Sequence, residues 1–361
     1  MKKNKGIIFT GLVIGLISVL LVKFGNPANM GFCIACFIRD TAGALGLHRA
    51  EAVQYVRPEI IGIVIGAFLM SIAGKEFKVR GGSAPLTRFV LGFFVMIGAL
   101  MFLGCPLRMI LRLAGGDLNA IFGILGFAGG IFVGVLFLNK GFSLRRTYEL
   151  PKLEGIIMPS VTVVLFILLV AFPSLLLFSE KGPGASHAPI YFSLVVGLIV
   201  GVLAQKNKLC CAGGIRDVIM FKDFHLISGF LAIFIAALVG NLLLGQFKLG
   251  FVDQPIAHTD GLWNFLGMGL VGFASVLLGG CPLRQLILSA EGNIDSAITV
   301  LGLVFGAAFA HNFNLASSAQ GPTLNGKVAV VIGFIVVFLI GYFNIEKSTE
   351  VEIKEGVEIE I

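Results

Sequence analysis

The chain is built from long apolar stretches separated by short polar joints. Ten stretches reach the roughly 20 residues a helix needs to cross the hydrocarbon core of a bilayer. They fall at about 7–24, 58–73, 86–104, 118–138, 156–178, 190–204, 226–245, 262–280, 294–312 and 328–343. Apolar residues lie on all faces of these stretches instead of alternating, so the pattern predicts helices and not the strands of an outer-membrane barrel. The expected fold class is an all-α polytopic membrane protein. The first stretch follows Met1-Lys2-Lys3-Asn4-Lys5, as in a secretion signal. No small-residue cleavage site comes after it, and Gly25-Asn26-Pro27 reads as a turn, so it is taken as the first span.

Composition agrees. Only 13% of the 361 residues are charged and 57% are hydrophobic, with a mean hydropathy of +0.97. A soluble domain carries about 25% charged residues. A two-domain soluble enzyme and a disordered chain are both excluded. The net charge of +7 sits in the joints and is no nucleic-acid signature. If the N-terminus is cytoplasmic, the inner joints hold 18 of the 27 Lys and Arg, clustered at Lys75, Lys78, Arg80 and Arg88, at Lys140, Arg145, Arg146 and Lys152, and at Lys206, Lys208, Arg216 and Lys222. The positive-inside rule then places both termini in the cytoplasm. Residues 346–361 form an acidic tail expected to be solvated.

The chain also repeats itself. Cys33, Ala35, Ile38, Arg39, Asp40 and His48 recur 177 residues later as Cys210, Ala212, Ile215, Arg216, Asp217 and His225. Gly104-Cys105-Pro106-Leu107-Arg108 recurs as Gly280-Cys281-Pro282-Leu283-Arg284 at an offset of 176. An offset held within one residue across two separated blocks indicates a duplication. The expected units are 1–180 and 181–345. Each holds five spans, and five is odd, so the second unit should lie inverted in the membrane, as in many secondary transporters.

All six cysteines fall in the four motif segments: Cys33, Cys36, Cys105, Cys210, Cys211 and Cys281. In Gly-Cys-Pro-Leu-Arg one helix ends at Gly, and Pro is welcome at the first position of the next. Cys then caps a short helix, about 106–114 or 282–290, whose free N–H groups favour an anion. Such broken helices are tolerated at membrane depth only where protein or a cavity surrounds them. The Phe-Cys…Arg-Asp segments are read as re-entrant turns, with Arg39–Asp40 and Arg216–Asp217 as local ion pairs. Thiols with Arg39, Arg108, Arg216 and Arg284 would suit an oxyanion carrying a soft sulfur or selenium atom, through weak S–H contacts. No carboxylate set for Na⁺ or H⁺ coupling and no nucleotide loop is evident in the spans. Gly129-Gly130 reads as a helix packing face.

These motifs resemble the YeeE/YedE family of sulfur-compound transporters over nearly the whole chain apart from the tail. The Gly-Cys-Pro-Leu-Arg-Met…Leu-Ala-Gly-Gly-Asp form is most similar to the YedE branch associated with selenium metabolism. The resemblance implies inner-membrane uptake of thiosulfate or a related anion, without a cofactor or metal. It implies reduced cysteines, here Cys33, Cys105 and Cys281 and less directly Cys210, that pass the ion along by transient S–H…S contacts. It also implies a small TusA-like sulfur-carrier partner on the cytoplasmic side. Cys36 and Cys211 are extra thiols relative to that pattern. Two other readings remain open. A membrane thiol-disulfide oxidoreductase would use Cys33-x-x-Cys36. A soft-metal transporter would use the thiols for copper(I), against which the arginines argue because they repel a cation.

Overall fold

The computed structural model describes residues 4–346. The acidic tail therefore lies outside the described residues except for Glu346. The first half consists of α1 (Lys5–Lys23), α2 (Ile34–Ala44), α3 (Pro58–Ala73), α4 (Pro85–Phe102), α5 (Pro106–Ala114), α6 (Asn119–Asn139) and α7 (Lys152–Ala171). The second consists of α8 (Ile190–Lys206), α9 (Cys211–Phe221), α10 (His225–Leu243), α11 (Gly261–Leu278), α12 (Pro282–Ala290), α13 (Ile294–Asn312) and α14 (Leu324–Phe343). Among the described residues, ten helices or helix pairs are long and apolar enough to cross a membrane. The protein is an all-α polytopic membrane protein.

The two halves carry matching elements. α2 and α9 are eleven residues each. α5 and α12 are nine residues each, with Pro at the first position and Cys at the N-cap. These last two have the limits expected from sequence, because Pro106 and Pro282 each start a helix that cannot continue the one before. The expected re-entrant turns are instead full helices, a correction with a clear cause. Cys33 and Cys210 are extended N-caps whose sulfurs accept from the backbone N–H of Cys36 and Gly213, and the apolar residues that follow sustain three turns.

The long helices pack across the halves: α1 on α10, α3 on α8, α4 on α13 and α6 on α11, with α4 against α11 at the centre. Glycine sets the spacing. A Cβ on Gly130 would lie 1.9 Å from the Gly269 carbonyl oxygen, and one on Gly201 would lie 2.2 Å from that of Ile63. Contacts advance in the same direction on both partners. Gly62 faces Leu194 and Gly66 faces Leu198; Gly126 faces Phe265 and Gly130 faces Gly269. Each of these pairs therefore runs parallel.

The joints gather at two ends. At one, β1 (Arg80–Gly81) pairs antiparallel with β2 (Tyr148–Glu149), Arg80 opposite Glu149, and Arg80 also bridges to Asn293. This basic end carries the three Lys/Arg clusters. At the far end, Asp117 bridges to Gly250, and the backbone N–H groups of Leu177, Ser179 and Gly184 donate to the carbonyls of Ala44, Gln54 and Ala52.

Candidate functional site

The six thiols form two buried trios. The first joins Cys33, Cys36 and Cys105. The Cys33 and Cys36 sulfurs are in direct contact at 2.6 Å, and the Cys36 N–H donates to Cys33 Sγ at 3.3 Å. Cys105 lies beside Cys33, near the backbone N–H groups of Ala35 and Arg108. The starts of α2 and α5 thus meet at the thiols, where both present free N–H groups.

The second trio joins Cys210, Cys211 and Cys281. Cys210 Sγ lies 4.0 Å from Cys281 Sγ, Cys281 contacts Cys211, and the Gly213 N–H donates to Cys210 Sγ at 3.2 Å. The Arg284 N–H faces Cys281, repeating the Cys105–Arg108 arrangement. α2 packs on α12 and α5 on α9, which brings the two trios side by side. The trios are adjacent, one toward each end.

The four arginines expected to share one site are held differently. Arg108 is fully buried and meets no carboxylate. Its Nε donates to the Asn29 carbonyl at 3.1 Å, its Nη2 to that of Ile256 at 3.3 Å, and its Nη1 to the Leu103 carbonyl and to Cys36 Sγ at 3.5 Å. Arg39 pairs with Asp40 at 2.6 Å and Arg216 with Asp217 at 2.8 Å, the local ion pairs read from sequence. Arg284 Nη1 donates to Glu291 Oε1 at 3.0 Å. Leu103, Ile256 and Arg39 also line a cavity of about 590 Å³ at the far end, together with His311, Ser317 and Gln320. Arg108 therefore sits just beneath a vestibule, between it and the first thiol trio.

Several polar groups escaped the sequence reading. Arg57, fully buried, pairs with Asp40 at 2.7 Å and donates to the Ser186 and Pro183 carbonyls. Arg112 pairs with Asp117 at 2.6 Å and stacks over Phe102. Glu59, in a span expected to lack functional carboxylates, is fully buried. It accepts from Asn26 Nδ2 at 2.8 Å and Ser193 Oγ at 3.2 Å, while its Oε2 has no partner. Arg112 was legible as an i, i+4 neighbour of Arg108 on one helix face. Arg57 stands directly before the proline that opens α3. His48 Nε2 donates to the Arg39 carbonyl at 3.0 Å, and its ring lies against that of His311 at 4.7 Å between centroids. His225 is far from this pair, against Asn4. Among the described residues no group of three or more His, Cys, Asp or Glu is arranged to hold a metal ion.

The fold defines a class, a ten-span helical membrane protein, with buried thiols, helix starts and a carboxylate-free arginine in its interior. Comparison with known proteins narrows it. The sulphur-transport family model matches residues 1–106 and 206–345, and the chain belongs to that family. It is a transporter family and not an enzyme family. The matched segments contain all four cysteine motifs except Pro282–Arg284's counterpart tail at 107–108. A thiosulfate transporter TsuA of Spirochaeta thermophila is 32% identical over 92 residues, 26% of this chain and 27% of that protein. The Escherichia coli thiosulfate transporter TsuA is 27% identical over 112 residues, 31% of each chain. The alignments thus span less than a third of either relative.

Proposed function

We propose that the protein imports thiosulfate or a closely related soft oxyanion across the cell's inner membrane, handing it from the Cys33–Cys36–Cys105 trio to the Cys210–Cys211–Cys281 trio. The observation that carries this reading is Arg108: a buried guanidinium with no carboxylate, touching Cys36 and seated below a vestibule. An unpaired buried charge is costly, and an incoming anion offsets that cost. The sulfonate-like oxygens suit the guanidinium and the N–H groups at the starts of α2 and α5. The terminal sulfur suits the thiols, which are weak S–H donors and acceptors. Cys33, Cys105, Cys281 and Cys210 act as relay groups that stay reduced. Arg108 and Arg284 supply attraction at the two trios, and Arg39 and Arg216 hold the approaches.

The parallel cross-half pairs support an inverted arrangement of 1–180 and 181–345. If successive spans alternate in direction, α3 opposes α1; α8 runs with α3 and so opposes its own counterpart α1. The positive-inside rule assigns the basic end and both termini to the cytoplasm. The vestibule then faces outward and the second trio faces the cytoplasm, where a TusA-like carrier could collect the product.

The test is accumulation of labelled thiosulfate in cells lacking their own sulfate and thiosulfate uptake, with and without the protein, and with unlabelled selenium compounds as competitors. Uptake that depends on the protein supports the reading, and displacement by selenium compounds extends it to selenium anions. No uptake with the protein in the membrane overturns it for thiosulfate. One contact favours a second reading, membrane thiol–disulfide exchange: the 2.6 Å approach of Cys33 and Cys36. Loss of all function in Cys36→Ser alone would favour that reading, because a redox pair needs both thiols.

A further inference from the structure

Arg108 and Arg284 occupy the same position in the repeat, the third residue of a nine-residue helix, yet they meet opposite surroundings. Arg108 meets backbone carbonyls and a sulfur. Arg284 meets Glu291. The position matching Glu291 in the first half is Gly115, where a Cβ would lie 2.2 Å from Asn29 Oδ1. The far side thus carries no equivalent carboxylate, and a side chain at 115 would first have to displace that of Asn29. The same Glu291 oxygen also lies 3.5 Å from Lys208 Nζ, and Lys208 in turn pairs with the exposed Glu76. A chain of alternating charge, Arg284–Glu291–Lys208–Glu76, thus runs from the second trio to the aqueous edge of the basic end.

We propose that Glu291 is a built-in competitor for Arg284 that weakens anion holding at the second trio and so promotes release at the basic end. The proposal rests on the transport reading above. An anion reaching Cys281 finds Arg284 already neutralised. To be held there it must move Glu291 onto Lys208, a short shift because Oε1 lies between the two cations. When the anion leaves, Glu291 returns to Arg284 and fills the place it vacated. The far-side arginine has no such competitor and captures the anion; the basic-side arginine has one and lets it go.

The test uses the full-length protein in proteoliposomes of known orientation, with rates normalised to protein in the membrane. Glu291→Gln keeps the side chain's shape but removes the competing charge. The maximal rate of thiosulfate transport from the far side should fall about tenfold, the weight of one charge-assisted hydrogen bond retained when it should break. Its half-saturation concentration from the basic side should fall by a similar factor, while that from the far side changes little. Glu291→Asp, which keeps the charge, should recover most of the rate. A purely structural role for Glu291 would lower the amount of protein in the membrane without moving these kinetic constants, and that result overturns the proposal. So does an unchanged maximal rate in Glu291→Gln alongside active parental protein. Parental protein that moves no thiosulfate overturns the transport reading itself and this proposal with it.

Discussion

The two thiol trios share one design and differ in charge. Around the first stand Arg39, Arg57, Arg108 and Arg112 against Asp40, Asp117 and Glu59, four cations to three carboxylates, all buried. Around the second stand Arg216, Arg284 and Lys208 against Asp217, Glu291 and Glu76, three to three, with Lys208 and Glu76 partly exposed. Within the repeat, Glu291 stands where the first half has Gly115 and Phe234 where it has Arg57, while the Arg112–Asp117 pair is replaced by Leu288 and Asn293. The duplicated sequence therefore holds two chemically alike thiol cups in different charge surroundings.

The largest expected effect separates the two aspartates. Asp40→Asn leaves Arg39 and Arg57 buried without a carboxylate, and should cost about 3–5 kcal/mol of stability. The matching Asp217→Asn touches a partly exposed pair and should cost at most about 1 kcal/mol. Thermal melting of the two variants in detergent checks this; equal losses would mean that the far-side charges are not specially placed.

Next come the thiols. Cys105→Ala and Cys281→Ala should each lower thiosulfate uptake at least about tenfold, the weight of a hydrogen bond to a charged guest, with the protein still in the membrane. Cys36→Ser should lower it less than either. Initial uptake rates normalised to membrane protein decide the ranking.

Arg108→Lys keeps the charge but not the planar fork that reaches three carbonyls and a sulfur. Its half-saturation concentration should rise about tenfold, with a smaller change in maximal rate. The same change at Arg284 should act mainly on rate. A concentration series on both variants distinguishes the trios directly.

The smallest effect is acid sensitivity at the basic end. The Lys208 ammonium holds the Glu76 carboxyl below its ordinary value. A carboxyl depressed in the folded state contributes stability above its unfolded value, and that contribution is lost as pH falls through the depressed range. Glu76→Gln should therefore narrow the stability difference between neutral and strongly acidic pH slightly, and leave the trend from pH 6 to 8 unchanged. Melting curves across that series read it.

Much of the scaffold was legible because its signals are local. Apolar runs marked the ten spans. Pro106 and Pro282 marked the starts of the short helices, and the 176–177 offset tied the motifs together. The Arg39–Asp40 and Arg216–Asp217 pairs were legible because they join neighbours in the chain. The Cys33 and Cys210 segments looked like turns because a thiol N-cap gives a weaker signal than Ser or Asp. Other features were hidden because they join distant residues. Arg57 meets Asp40 across 17 positions and Ser186 across 129, and Arg108 reaches Ile256 across 148. The grouping of six thiols into two trios depends on how α2 meets α5 and α9 meets α12, which no short window of sequence contains. Glu291 and Arg112 could have been found by comparing the repeats residue by residue and asking where charge appears in only one.

The central claim is that the anion is captured at the far-side trio, where the arginine is unpaired. Equilibrium binding of labelled thiosulfate to the purified protein, to Arg108→Gln and to Arg284→Gln tests it most directly. The account predicts that Arg108→Gln loses saturable binding while Arg284→Gln keeps it. Binding that survives in Arg108→Gln and is lost in Arg284→Gln would contradict the account.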